Sequence, residues 1–392
     1  MSRINIDKVN FIKKSMGESP LVLKKGDYKK IIHNNNNLLD IDNNPIGTKG
    51  DMYAKVIMDH IIQNGTLDHN PRPHYEDFYE NATYDSKNGI VKTNDGKKIY
   101  VGEKEHVKEK ANGVEVWVPA HTISVNNGVE CTYDLSRGES PMITLRPIAI
   151  KAAIAEIMWI YQKESNDLVE FDELLGKNTW DINRKINNWW DDWALRDKDG
   201  NYILNEKGHP TIGSCYGETI RKHKLLKTQV IDAIKKDMDG RRNITSLWQN
   251  DDFKEPHGLK PCAFLTVWNV RHEWDGKDYL DMTMVQRSSD FATAGCINQV
   301  QYVVLLKMVA RELDLEPGIF TWKPINVQLY DRHIDQAIEM LNREPINCSA
   351  NIELNPNIES FYNFTPEDIK ITNYPKELIK KKNPQLKFPL GI

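Results

Sequence analysis

The 392-residue sequence predicts a mixed α+β domain from about residue 51 to 392, preceded by a polar extension over residues 1–50. Three observations carry this. Residues 279–285 alternate, with Leu280, Met282 and Met284 against Asp281, Thr283 and Val285, as a half-buried strand does. Residues 297–313 carry Val300, Val303, Val304, Leu306, Met308 and Val309, the content of a long buried helix. Strands and helices also follow one another without the βαβαβ rhythm of a doubly wound parallel sheet.

The elements follow in chain order. The first fifty residues are asparagine-rich, notably at 34–37 and 43–44, and offer little core. Over residues 51–62, Tyr53, Ile57, Met58, Ile61 and Ile62 share one helical face, and Gly65 suits its end. Residues 73–118 are rich in Lys, Asn, Asp and Gly and read as a surface insertion, with strand-like runs at 99–101 and 114–118. Residues 143–161 read as a strongly apolar helix containing Ile148, Ala152, Ile154, Ala155, Met158 and Trp159. Residues 243–248, 263–270 and 320–330 read as strands, and 334–341 as an amphipathic helix. The tail from Lys380 is basic and then apolar. No internal repeat is present.

Composition narrows the class. Lysine and arginine number 52 against 56 acids, for a formal charge of −4. That balance argues against a generic polyanion binder but allows a small anion held by a local arginine cluster. No run approaches the ~18–20 apolar residues of a membrane span. The first residues lack the apolar stretch of a secretory signal. Five cysteines without close pairing make no disulfide framework. A reducing cytoplasm is therefore the expected compartment, and no His/Cys spacing suggests a metal site.

The chemistry starts at Cys262, just before an apolar strand. A lone cysteine there is usually a small core residue. Its company changes the reading. Arg241-Arg242 stands upstream and Gln286-Arg287-Ser288-Ser289-Asp290 downstream. An arginine near a cysteine lowers the thiol pKa and frees a thiolate nucleophile. Arginine forks with a serine hydroxyl suit a phosphate. The bland reading of Arg241 and Arg242 is a solvated turn after Asp239-Gly240.

Pro261-Cys262, the 286–290 run and Asn298 together resemble thymidylate synthase and its pyrimidine hydroxymethylase relatives. Further segments agree in order. Gly65-Thr66 with Asn70-Pro71-Arg72 is similar to the family's phosphate-loop arginine. Tyr133-Asp134-Leu135 through Pro141-Thr144 resembles its first sheet segment, and the helix around Glu156 the one bearing its catalytic glutamate. Trp190-Asp191-Asp192-Trp193 and Tyr216-Gly217 resemble its folate-side motifs, and Gln328-Leu329-Tyr330 with His333 its ribose motif. The resemblance spans about residues 50–392, interrupted at 73–118.

It implies a mixed sheet packed with helices and a set of roles. Cys262 would add to carbon 6 of uracil, since the base is inert at carbon 5 until a nucleophile does so. Asn298 has both a donor and an acceptor for uracil's imide and 4-carbonyl edge; an aspartate there would suit cytosine. Arg72, Arg287 and Ser288 would hold the 5′-phosphate, with Arg241 and Arg242 reaching across a homodimer interface. Tyr330 and Gln328 would meet the ribose, Tyr216 would line the substrate site, and Glu156 would move protons through ordered water. Asp290, Trp190 and Trp193 would hold methylenetetrahydrofolate, the co-substrate, with no metal.

The sequence departs from the family at Ala263 and Gln328, where histidines are usual, at Ser289 for cysteine, and at Ala294-Gly295-Cys296-Ile297 for Gly-Leu-Pro-Phe. Loss of imidazoles from the pyrimidine pocket makes room for a placed water. The extension and insertion also resemble divergent viral members, as would suit bacteriophage DNA modification. The expectation is therefore a dUMP hydroxymethylase that quenches the methylene intermediate with water. Thymidylate synthase, quenching with hydride, is the alternative, and retention of Trp190 and Trp193 speaks for it. An inactive nucleotide- or RNA-binding relative is more remote, because Cys262, Glu156, Arg287 and Asn298 are all kept. A cysteine hydrolase is weaker still, with no histidine beside Cys262. The expected partners are dUMP, folate and a second copy of the chain, with neither membrane nor nucleic acid.

Overall fold

The computed structural model describes residues 47–68, 122–126, 128–177, 186, 188–197, 199–330 and 333–388, with short strands elsewhere. Arg72 lies outside the described residues, as does most of 1–50 and 73–118. Helix α1 (Lys49–Asn64) opens on a capping box. Thr48 accepts from the Asp51 amide while Asp51 accepts from the Thr48 amide, and Gly65 ends the helix. Asp51 also accepts from the Thr144 amide at 2.6 Å and its hydroxyl at 2.7 Å, which ties the helix start to the buried segment 141–146.

That segment corrects two expectations. The helix read over 143–161 begins only at Ile150, as α2 (Ile150–Tyr161), and is followed by α3 (Leu168–Leu174). Pro147 has no amide hydrogen to give a preceding turn and restricts the residue before it, so the chain stays non-helical, with bends at 144–146, until Ala149. Nor does 141–144 form a strand. The first sheet segment is Cys131–Asp134 alone, closed by a 3₁₀ turn at Leu135–Arg137.

One seven-stranded sheet organises the rest. Its strands are β1 (Thr66–Leu67), β2 (Thr122–Val125), β3 (Cys131–Asp134), β4 (Ile244–Ser246), β5 (Ala263–His272), β6 (Asp278–Asp290) and β7 (Glu316–Tyr330). The order is β4-β5-β6-β7-β2-β1, with β3 also paired to β7. All pairs are antiparallel except β6–β7. A parallel pair needs a crossover, which helix α5 (Cys296–Glu312) supplies.

The alternation read at 279–285 is the real one. Leu280, Met282 and Met284 are buried with Trp268, Phe320 and Trp322 in the core shared by α2 and α5. The other face stays half-covered at Leu265, Val267, Thr283, Val285, Ile319 and Thr321, and Trp248 and Ile325 are exposed. The strand-like runs at 99–101 and 114–118 overlap the strands Lys98–Tyr100 and Val114–Trp117, with their last residues outside the described ones. Those strands pair with Ile90–Lys92 and Val107–Ala111 and not with the seven-stranded sheet.

Candidate active site

The site forms where the C-terminal end of β6 meets the start of β5 and the start of α5. The β5–β6 ladder runs from His272↔Asp278 to Ala263↔Gln286, with an irregularity at Ala263/Leu265. Beyond it, the Arg287 amide donates to the Cys262 carbonyl at 2.9 Å. The Arg287 guanidinium donates to the carbonyls of Pro261 at 2.9 Å and Lys260 at 2.7 Å. From the other side, the Cys262 amide donates to the Tyr216 hydroxyl at 3.1 Å.

Tyr216 holds a left-handed φ of 49° with ψ −111° just before α4 (Gly217–His223). Such backbone persists only where surroundings over-determine it. A Cβ on Gly217 would sit 2.1 Å from the Ser165 carbonyl oxygen, so only glycine admits this approach.

The sequence leads one to expect a depressed Cys262 thiol. Burial instead pushes it up, and Arg287 opposes that only in part. Arg287 directs two of its five donors to the loop carbonyls, and its charge does not offset the cost of desolvating the thiolate. Of the other cysteines, Cys131, Cys215 and Cys296 are buried and Cys348 is half-buried; all five are free thiols.

Four side chains then form a directional chain. The Trp322 indole, which can only donate, gives its hydrogen to Gln286 Oε1 at 2.9 Å. Gln286 Nε2 donates to Asn298 Oδ1 at 3.1 Å, and Asn298 Nδ2 donates to Gln301 Oε1 at 2.8 Å. The Asn298 amide is thereby oriented, with one N–H and one lone pair left over. Near this chain lies Glu156 of α2, 8% exposed. Burial raises its pKa to about 7, against the pull of donors on Gln301, Trp190 and Trp189. A carboxyl poised there can both take and return a proton at neutral pH.

Trp190 is buried and meets Trp159 at 5.6 Å, Trp193 at 5.5 Å and Tyr216 at 5.0 Å between ring centroids. Its indole nitrogen is buried and reaches no acceptor at bonding distance among the described residues, so its pull on Glu156 acts across a longer gap. A cleft of about 440 Å³ opens beside Trp189, floored by Ile148, Ile150, Tyr374 and Ile379 and rimmed by Lys151, Lys376 and Lys380.

The parallel β6–β7 register sets Ser288 beside Asn326 and Asp290 beside Gln328. The Ser288 hydroxyl donates to Gln328 Oε1 at 3.4 Å. Tyr330 follows two residues later on the same face and packs edge-on against His333 at 5.4 Å. Asp290 accepts from the Thr293 hydroxyl and lies 3.5 Å from His333 Nδ1.

Cys262, Tyr216, Arg287, Asn298 and Glu156 are thus gathered with Trp190, Ser288, Gln328 and Asp290 around one end of the sheet. Arg241 and Arg242 are not. They are exposed before β4, close to Asn269 in register, since the Trp268 amide bonds Asn243 and Ile244 pairs Val267. At ~3.3 Å per residue along β5 they stand roughly 20 Å from Cys262 of the same chain.

Sequence reasoning missed Gln286, Gln301 and Trp322 as site residues. The signal was a glutamine one helical turn after Asn298, directly before the apolar run at 302–306.

The thymidylate synthase family model matches residues 99–386. The thymidylate synthase of Lactococcus lactis subsp. lactis is 39% identical over 262 residues, 67% of this chain and 84% of that protein. That of Streptococcus pneumoniae is 40% identical over 267 residues, 68% of this chain and 85% of that protein. Among solved structures, thermostable thymidylate synthase A from Bacillus subtilis superposes with a TM-score of 0.60 at 26% identity, covering 87% of this chain and 99% of that one.

Proposed function

The chain belongs to the thymidylate synthase family of one-carbon transferases, and on that premise we propose that it methylates dUMP reductively, giving dTMP and dihydrofolate. The observation that carries the reading is the oriented Asn298 amide beside Cys262 and a Glu156 poised near neutrality.

Cys262 adds as thiolate to carbon 6 of the uracil, which makes carbon 5 nucleophilic. The thiol is pushed up in the free site, so the anionic phosphate has a part. Arg287 and Ser288, with Arg72, take the phosphate and bring order to the Cys262 loop. The free N–H of Asn298 donates to the 4-carbonyl and its lone pair accepts from the ring N–H. Methylenetetrahydrofolate, when bound, supplies the one-carbon unit and the hydride. Trp190 and Trp193 wall that side and exclude water, Asp290 accepts from the pterin, and the lysine-rimmed cleft suits an aromatic body with an anionic tail. Glu156 takes the carbon-5 proton, directly or through ordered water. Expulsion of the Cys262 thiolate ends the cycle.

This reverses the order expected from the sequence, which put water quenching first. Relatives named thymidylate synthase at 39–40% identity and the packed indole wall favour hydride. Hydroxymethylation is the second reading, favoured by Ala263 and Gln328 at the pocket edge. We also propose a cytoplasmic homodimer, formed through the half-covered sheet face, in which Arg241 and Arg242 complete the partner's phosphate site. Incubation with dUMP and methylenetetrahydrofolate decides the branch. Stoichiometric dTMP and dihydrofolate support the proposal; 5-hydroxymethyl-dUMP with tetrahydrofolate overturns it.

A further inference from the structure

Resting on that reading, we propose that Gln301 is a positioning residue that couples base recognition to proton transfer, fixing the Asn298 amide with its oxygen and turning its nitrogen to Glu156. The assignment follows from the order of donors. Trp322 is fully buried and has no acceptor, so Gln286 must present its oxygen there. Its nitrogen then faces Asn298 Oδ1, and Asn298 must turn its own nitrogen to Gln301. Gln301 therefore has only its nitrogen left, and that atom is buried without a partner at bonding distance. Flipping any amide in the chain would set donor against donor.

A helical Gln–Asn pair one turn apart is commonplace on exposed surfaces. Gln301 is 3% exposed, and a buried half-satisfied amide is costly to keep for stability alone. Its remaining donor faces Glu156, where it opposes the effect of burial. No lysine, arginine or histidine contributes to the Glu156 shift. The titratable neighbours are Tyr302 on α5, which feels Glu156 directly, with Tyr161 on α2 and Tyr216 before α4 behind it. All three are raised above the usual tyrosine value, and Cys262 is raised as well. A near-neutral limb in the tritium-release profile is accordingly expected from Glu156.

Two variants separate the two bonds. Gln301→Met keeps the length and loses both. Gln301→Glu keeps an acceptor for Asn298 and loses the donor to Glu156. The readouts, on the full-length chain, are tritium release from carbon 5 of dUMP against pH, the kcat/KM ratio of dUMP to dCMP, and dUMP binding at equilibrium. Gln301→Met should move the limb up by about one pH unit and narrow the dUMP preference about tenfold. Gln301→Glu should move the limb at least as far and keep the preference. Retained dUMP binding certifies folding. If Gln301→Met does not fold, Gln301→Glu alone carries the test through its limb. Parental limbs in the folded variants, or an unaltered preference in Gln301→Met, overturn the role of Gln301. A parent chain that releases no tritium overturns the proposed function itself.

Discussion

Replacing Glu156 by glutamine should stabilise the protein while stopping its chemistry, and the gain should depend on pH. Burial moves the Glu156 pKa from 4.5 to about 7. At ~1.4 kcal/mol per tenfold, the folded state disfavours the charged form by about 3 kcal/mol. The sign follows from proton binding. Below the unfolded pKa both states hold the proton, and Glu156 costs nothing. Between 4.5 and about 7 the unfolded chain loses its proton first, so stability falls as pH rises, and above about 7 the loss is complete. The glutamine amide carries no such charge, and its oxygen can still accept from the donors that surround the site. Paired thermal melts at pH 5, 6, 7 and 8 should show the Glu156→Gln chain nearest the parent at pH 5, ahead by less than about 1 kcal/mol. It should lead by about 3 kcal/mol at pH 8, with carbon-5 tritium release lost throughout. A gap that stays constant across this range would refute the argument, because it would mean that Glu156 ionises in the folded state as it does in the unfolded one.

Three further outcomes are expected. Cys262→Ala should abolish turnover while leaving dUMP binding measurable by calorimetry, and alanine at the half-buried Cys348 should leave the rate unchanged; near-normal turnover by the Cys262 variant would remove it from the mechanism. Asn298→Asp should lower the dUMP-to-dCMP preference roughly 10–100-fold, the cost of one mispaired buried edge, as read from kcat/KM for both nucleotides. Mixing inactive Arg241→Ala/Arg242→Ala chains with inactive Cys262→Ala chains should restore partial activity in verified heterodimers, because arginines roughly 20 Å from their own Cys262 can serve only another chain's site.

Local patterns are enough to identify the strands and helices that bury one face. The alternation of Leu280, Met282 and Met284 and the apolar run of α5 are set by side-chain period and hold in any context that supplies a core. Even so, the start of α2 was misread, because apolar content continues across Pro147 while helical hydrogen bonding does not. The motif residues Cys262, Glu156, Arg287 and Asn298 were legible because each resembles a family position. Their physical state was not. Whether the Cys262 thiol is raised or lowered depends on where the Arg287 fork points, and it points to the carbonyls of Lys260 and Pro261. The orientation of Asn298 depends on Trp322 and Gln286, which arrive from β7 and β6, and on Gln301, which follows on α5. Which residue types are available and which faces turn inward follow from short-range period and chemistry, and both are readable along the chain. Which donor meets which acceptor, and how dry each charge becomes, is settled in three dimensions, because hydrogen bonding and desolvation depend on atoms brought together from distant parts of the chain.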